Sequence, residues 1–200
     1  MDIFDALAAR HMARAFTGVP PTAAQLDQLL YALSRAPSAG NTASVETLVL
    51  DGDDVRAYWD ITLTNERRED FPWPRLLKAP VLLIPTVAPS DYVDRYGEED
   101  KAPSGLGKAA DDWSVPYWWV DGGAAVENLL LAASALQLGV CFFGQFDHEP
   151  AVSAHFAIPE GRRSLGTIAV GEPDPENDRK SRSSKRPARS VADRTHWGRW

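Results

Sequence analysis

Residues 117 to 138, YWWVDGGAAVENLLLAASALQL, read as a helix that is apolar on nearly every side, with small residues clustered at Gly122, Gly123, Ala124 and Ala125. A helix without a continuous polar face has no side to turn to water, so it is expected to be buried all round. A chain of 200 residues has little material with which to enclose such a helix alone. Burial against a partner subunit is the expectation that follows. The apolar run NLLLAASALQLGVCFFG is cut by Gln137 and Gly139 and preceded by Glu127. That argues against a membrane span and reads as a buried helix followed by a strand.

Composition narrows what such a molecule can bind. With 44% hydrophobic and 10% aromatic residues it can fill one core, and a single domain over 1–200 is expected. Lys and Arg number 21 against 28 Asp and Glu, a net charge of -7, so there is no basic field to hold a nucleic acid. The lone cysteine, Cys141, lies in the apolar GVCFFG. It rules out an intramolecular disulfide and reads as a buried, inert thiol in a reducing compartment. The opening MDIFDALAARHMARAF carries acids where a secretory leader needs a positive region and an apolar core, so a cytoplasmic protein is expected.

A short amphipathic helix is expected over 2–10, with apolar residues at 3, 4, 7 and 8, and a second one with Thr22 as N-cap and Leu26, Leu29, Leu30 and Leu33 on one face. Next comes the turn APSAGN, 36 to 41, which places backbone N–H groups, a Ser and an Asn at one rigid point suited to an acceptor-rich ligand. SVETLVL reads as a strand ending at DGDD, and VLLIPTVA, 81 to 88, as a continuous apolar strand of the fully buried kind. Residues 89–116, rich in Gly, Pro and charge, read as a loop or small lid. GVCFFGQF and SLGTIAVG are two further strands, separated by a short helix from about Glu149 to Ala157 and the turn PEG. The irregular order of helices and strands indicates α+β rather than a doubly wound fold. Residues 174–200 are polar and rich in Pro, Ser and Arg, yet end in HWGRW. Two terminal tryptophans are costly to leave in water, so this segment is expected to be an arm that docks on the body or on a second subunit.

Motifs of known mechanism are mostly missing. GLGKAA, 105 to 110, has the spacing of a dinucleotide fingerprint, but YGEEDKAPS precedes it where a strand is required. There is no Walker A loop, no Gly-x-Ser-x-Gly elbow and no His-Glu-x-x-His. His11, His148, His155, His196 and Cys141 do not have metal-ligand spacing, so no metal is expected. Arg10 and Arg14, one helical turn apart in ARHMARAF, suit a phosphate and equally suit an ordinary basic face.

Taken in order, RHMARAF, APSAGN, AAVENLLLAASALQLG, GVCFFGQF, AIPEGRR, AVGEP and SKRP resemble the FMN-dependent nitroreductase family over nearly the whole chain. The resemblance implies an α+β homodimer, with an antiparallel-dominated central sheet flanked by helices, a long buried interface helix, and FMN held by both subunits. It also implies that Arg10, His11, Met12 and Arg14 hold the phosphate end and one edge of the flavin, while Pro37, Ser38, Ala39 and Asn41 reach it from the other subunit. Phe143 and Gly144 would run along the far face, where a backbone N–H reaches the central ring nitrogen, and Lys185 and Arg186 would close over the phosphate. Arg68, in NERR, is the implied catalytic cation for the reduced ring. Met12 stands where many relatives have Ser, and Thr42-Ala43-Ser44-Val45 where many have Ser-Gln-Pro-Trp.

The implied activity is NADPH- or NADH-dependent reduction of nitroaromatics, quinones or related small electrophiles by ping-pong hydride transfer, with Tyr92, Tyr96, Trp118 and Trp119 as stacking candidates in the pocket. Two alternatives share the fold. One is an FMN-dependent tailoring dehydrogenase that returns electrons to oxygen; the other is a flavin-poor binding protein.

Overall fold

The structure, a computed structural model, describes every residue except Lys180, and Arg182 through its backbone alone. Asp2 accepts the Asp5 N–H and caps α1, Ile3–Ala9; a Thr22–Gln25 capping box starts α2, Ala23–Ser34. Then follow β1, Glu46–Asp51, α3, Gly52–Thr62, α4, Asn65–Glu69, β2, Val81–Val87, and α5, Pro89–Gly97. The chain continues through α6, Tyr117–Ala135, β3, Gly139–Phe143, α7, Glu149–His155, β4, Arg163–Ser164, and β5, Thr167–Gly171. Helix α5 occupies the start of the stretch expected to be a loop or lid, and α3 and α4 fill a region whose sequence carries no clear period.

All strand pairs are antiparallel, in the order β1-β2-β5-β3, with β4 extending the pairing of β2 beyond β5. All seven residues of β2 are buried. The reason is that both faces of the sheet are covered. Leu82 and Ile84 point into one cluster with Leu50, Tyr58, Trp59, Cys141, Val152 and Ala169. Val81 and Leu83 point into the other, with Leu29, Leu33, Ala125, Leu129, Val140, Ile168 and Val170. The alternation of strand side chains thus serves two cores, which explains an unbroken apolar run. The result is an α+β domain with helices on both sides of an antiparallel sheet.

Two helices leave surface open in the single chain. α6 buries Ala125, Leu129, Leu130 and Ala133, but Trp119, Val120, Gly123 and Glu127 form an exposed stripe in the single chain, so it is not enclosed all round. In α1 only Ala6 is buried, and Ile3, Phe4 and Leu7 are exposed. The tail is likewise open, with Trp197 87% and Trp200 100% exposed. These surfaces are apolar and uncovered. No helix among the described residues is long and apolar enough to cross a membrane.

Candidate functional site

The outer edge of β3 is where the chain leaves donors unused. Its inner edge pairs with β5. On the outer edge Val140 O accepts the Ala13 N–H at 2.8 Å, and the Phe142 N–H points to Met12 Sδ at 3.4 Å. Backbone alternation places the Gly144 N–H next on that edge. Among the described residues no carbonyl accepts it. Gly144 also lacks a side chain to cover it, and a Cβ there would stand 3.0 Å from the Phe146 ring.

A cleft of about 360 Å³ opens in front of this edge. Trp59 stacks on Phe143, with centroids 5.7 Å apart and planes 17° from parallel, and Phe71 meets Trp73 edge-on. Phe146 forms the rim, 84% exposed and at φ 49°, a backbone region that bulky side chains rarely adopt. The Arg14 guanidinium lies 5.6 Å over Trp73 and donates to Met12 O at 3.1 Å, which leaves most of its donor fork unused. Beneath the aromatic wall, Tyr58 Oη and Thr167 Oγ1 are 2.8 Å apart and Gln145 Nε2 donates to Thr167 Oγ1 at 3.0 Å. Gln145 Oε1 and Trp59 Nε1 are buried without a partner among the described residues. Burial pushes the Tyr58 hydroxyl up to about 12 and the Cys141 thiol up to about 11, so neither ionises near neutral pH.

The structure brings Met12 and Arg14 to the end of β3 that carries Phe142, Phe143 and Gly144, because residues 12–16 run beside β3 and the segment after β5, while Arg10 and His11 lie toward the Gly139 end. Arg10 and His11 line a separate, smaller pocket of about 250 Å³ with Gly139 and Pro173, and Arg10 Nε is 3.6 Å from Glu127. Met12 turns its thioether inward onto Phe142, so the position where relatives carry a hydroxyl offers no side-chain donor here.

The turn holding Pro37, Ser38, Ala39 and Asn41 lies elsewhere, against α5 and α6. Ala39 donates its N–H to Asp121 Oδ2 at 2.7 Å, and Ala43 donates to Ser38 Oγ at 2.9 Å. Pro37 and Asn41 are exposed.

The other expected residues stand apart from the cleft in the single chain. Arg68 is not at the aromatic cleft: α4 is short, and its guanidinium is held by Leu63 O at 3.0 Å and Asp60 Oδ1 at 2.6 Å, facing a separate open groove. Lys185 and Arg186 are exposed, and no described bond ties them to Arg10 or Arg14, although Asp178 nearby accepts the Arg14 N–H at 3.0 Å. Of the stacking candidates, Tyr92 and Trp118 are buried with Trp113 in a third cluster, while Trp119 is exposed. The residues missed by sequence reading are Trp59, Phe71 and Trp73, which wall the cleft, and Asp121. FPWP, 71 to 74, was a legible signal for an aromatic loop, and Asp121 is the lone acid in WWVDGGAA.

This donor set suits a flat molecule with acceptors along its edge: a bare strand-edge N–H, an arginine with free donors, and aromatic walls. A flavin ring has that chemistry.

A sequence profile of the Nitroreductase family matches residues 7–172. Among solved structures, CinD of Lactococcus lactis, a nitroreductase in complex with nicotinic acid, aligns with a TM-score of 0.70 at 16% identity, covering 94% of this chain and 100% of its own. A protein of Desulfovibrio desulfuricans solved in complex with FMN aligns at 0.66 and 24% identity, over 98% of this chain and 95% of its own. A nitroreductase family protein of Clostridium novyi NT aligns at 0.66 and 18%, over 90% and 89%. A comparison with curated proteins found no match. At these identities the structures speak for the fold, and the profile, covering most of the chain, speaks for the family: the chain belongs to the nitroreductase family.

Proposed function

We propose that the protein is a homodimeric, cytoplasmic NAD(P)H oxidoreductase that reduces flat, electrophilic small molecules such as nitroaromatics or quinones. The observation that carries this reading is the cleft at the end of β3, where the Gly144 N–H and most of the Arg14 donor fork stand unused beside Trp59, Phe71, Trp73 and Phe143. FMN, when bound, supplies reversible two-electron chemistry, accepting a hydride and passing it on. Gly144 would present its N–H to the ring, and Arg14 would place positive charge at the ring edge, a preorganised donor in an apolar site. Arg10 and His11 would hold the phosphate end. The aromatic walls would exclude water and select planar acceptors.

The dimer follows from what one chain leaves open. Pro37 and Asn41 face outward from their turn, and the stripes on α1 and α6 and the terminal tryptophans are uncovered. A second copy would cover them, bring its turn to the flavin, and receive the 174–200 arm with Lys185 and Arg186. The 89–116 segment would act as a lid over the substrate.

The absorption spectrum of the freshly purified protein, before and after anaerobic NADPH or NADH, tests the reading. Visible flavin bands that bleach within seconds are expected. A protein that stays colourless after addition of FMN, or whose flavin remains oxidised with both donors, would overturn it.

A further inference from the structure

Within the flavin reading above, on which this inference rests, we propose that Asp121 is a positioning residue for the cofactor: its carboxylate fixes the conformation of the 37–41 turn. Asp121 lies in the first half of α6 and is only 8% exposed. Both described donors to its Oδ2 are neutral, the Ala39 N–H at 2.7 Å and the Tyr92 hydroxyl at 2.9 Å. A buried carboxylate satisfied by neutral donors is expensive to keep, and an apolar residue would suit this part of α6 better if packing were the only requirement.

What Asp121 holds is a strained piece of backbone. Gly40, Asn41 and Ala43 have φ values of 63°, 56° and 52°, so two non-glycine residues within four positions are left-handed. Such conformations persist where the surroundings over-determine them. Asp121 grips the N–H of residue 39, and Arg95 Nε donates to Gly40 O at 2.8 Å, so the two side chains hold neighbouring backbone groups. Arg95 is itself fixed by two bonds to Asp100, at 2.7 and 2.8 Å. Tyr96 closes the remaining side, since a Cβ on Gly40 would lie 2.7 Å from its ring. Helices distant in sequence therefore set the shape of the turn, and its exposed residues, Pro37 and Asn41, project as they do because α5 and α6 hold it from behind.

The test uses the full-length protein, FMN as probe, and three variants: Asp121→Ala, Asp121→Asn and, as a destabilising control, Leu129→Ala, two helical turns further along α6 and fully buried. FMN affinity is read by quenching of flavin fluorescence, and melting temperature and amide hydrogen exchange of residues 38–43 are read on flavin-free protein. Asp121→Ala is expected to weaken FMN binding at least tenfold and to speed exchange in the turn. Asp121→Asn, whose amide oxygen still accepts both bonds, should stay within threefold of wild type. Leu129→Ala should lower the melting temperature at least as much, yet leave affinity within threefold. Equal loss of affinity in Asp121→Ala and Leu129→Ala would overturn the proposal, as would an unchanged turn in Asp121→Ala. If Asp121→Ala does not fold, Arg95→Gln replaces it: three- to tenfold weaker binding is expected, and wild-type affinity overturns the inference. A wild type that binds no FMN is a different result, because it removes the flavin reading and with it any cofactor role for Asp121.

Discussion

The cleft at β3 and the turn at 36–44 are both fitted with hydrogen-bond donors, but they use them in opposite ways. At the cleft the donors are left over: the Gly144 N–H has no described acceptor, Arg14 uses little of its fork, and Trp59 Nε1 has no partner among the described residues. At the turn they are satisfied within the chain, by Asp121, by the Ser38 hydroxyl, and by Ser44, which accepts the Ala88 N–H and donates to Asp91 at 2.6 Å. Unused groups mark a surface made to meet a ligand directly; satisfied groups around a strained backbone mark a shape made in advance. The cleft supplies the chemistry of contact, and the turn supplies a rigid outline.

The largest effect is expected where the cleft and the core share a residue. Trp59 is buried and forms both the wall against Phe143 and part of the cluster under the sheet. Trp59→Ala should cost about 3–5 kcal/mol of stability, the usual range for a buried tryptophan truncation, read from urea unfolding. A loss under about 1 kcal/mol would mean that the wall is a separate, loosely attached layer, the surface-substitution range.

Gly144→Val separates the two functions more finely. The added side chain would crowd Phe146 and shield the bare N–H, while the exposed site costs the fold little. FMN binding should weaken about a hundredfold, which is about 2.7 kcal/mol. The melting temperature should move by no more than about 4 °C. Wild-type affinity in this variant would remove Gly144 from the site and leave the cleft without its defining donor.

The fold was legible where period and burial agree. VLLIPTV announced a strand buried on both faces, and Thr22 announced the start of α2. The 117–138 pattern gave a helix, but not the stripe through Trp119, Val120 and Gly123 that one chain leaves open, because apolar periodicity cannot say whether the cover comes from the same chain. The N-terminal strip and the end of β3 were named together by resemblance, and the structure sets Met12 and Arg14 beside that end. Arg68 stands at a separate groove, held by Asp60 through a contact between side chains eight residues apart that no motif encodes. The aromatic walls were missed because Trp59 and Trp73 come from segments without a clear sequence period, and their meeting is a product of tertiary packing.

The smallest expected effect concerns the support behind the cleft. Glu149, which opens α7 a few residues after Phe146, accepts from Arg163 Nε at 2.9 Å, from Arg163 Nη2 at 3.0 Å and from the Ser164 N–H at 3.0 Å, tying α7 to β4. The Arg163 guanidinium, with the Ser164 N–H, holds this carboxyl below its ordinary value. The folded chain therefore keeps Glu149 ionised at pH values where the unfolded chain binds a proton. Its contribution is present above the usual carboxylate range and is lost as pH falls through the lowered value. Because Arg163 is more than half exposed, water screens the pair, and Glu149→Gln should cost only about 1 kcal/mol at pH 7. Melting temperatures of wild type and variant should differ at pH 7 and converge only as pH falls through the lowered Glu149 value, beneath the usual carboxylate range. Curves that stay parallel to pH 3 would assign the difference to packing rather than charge.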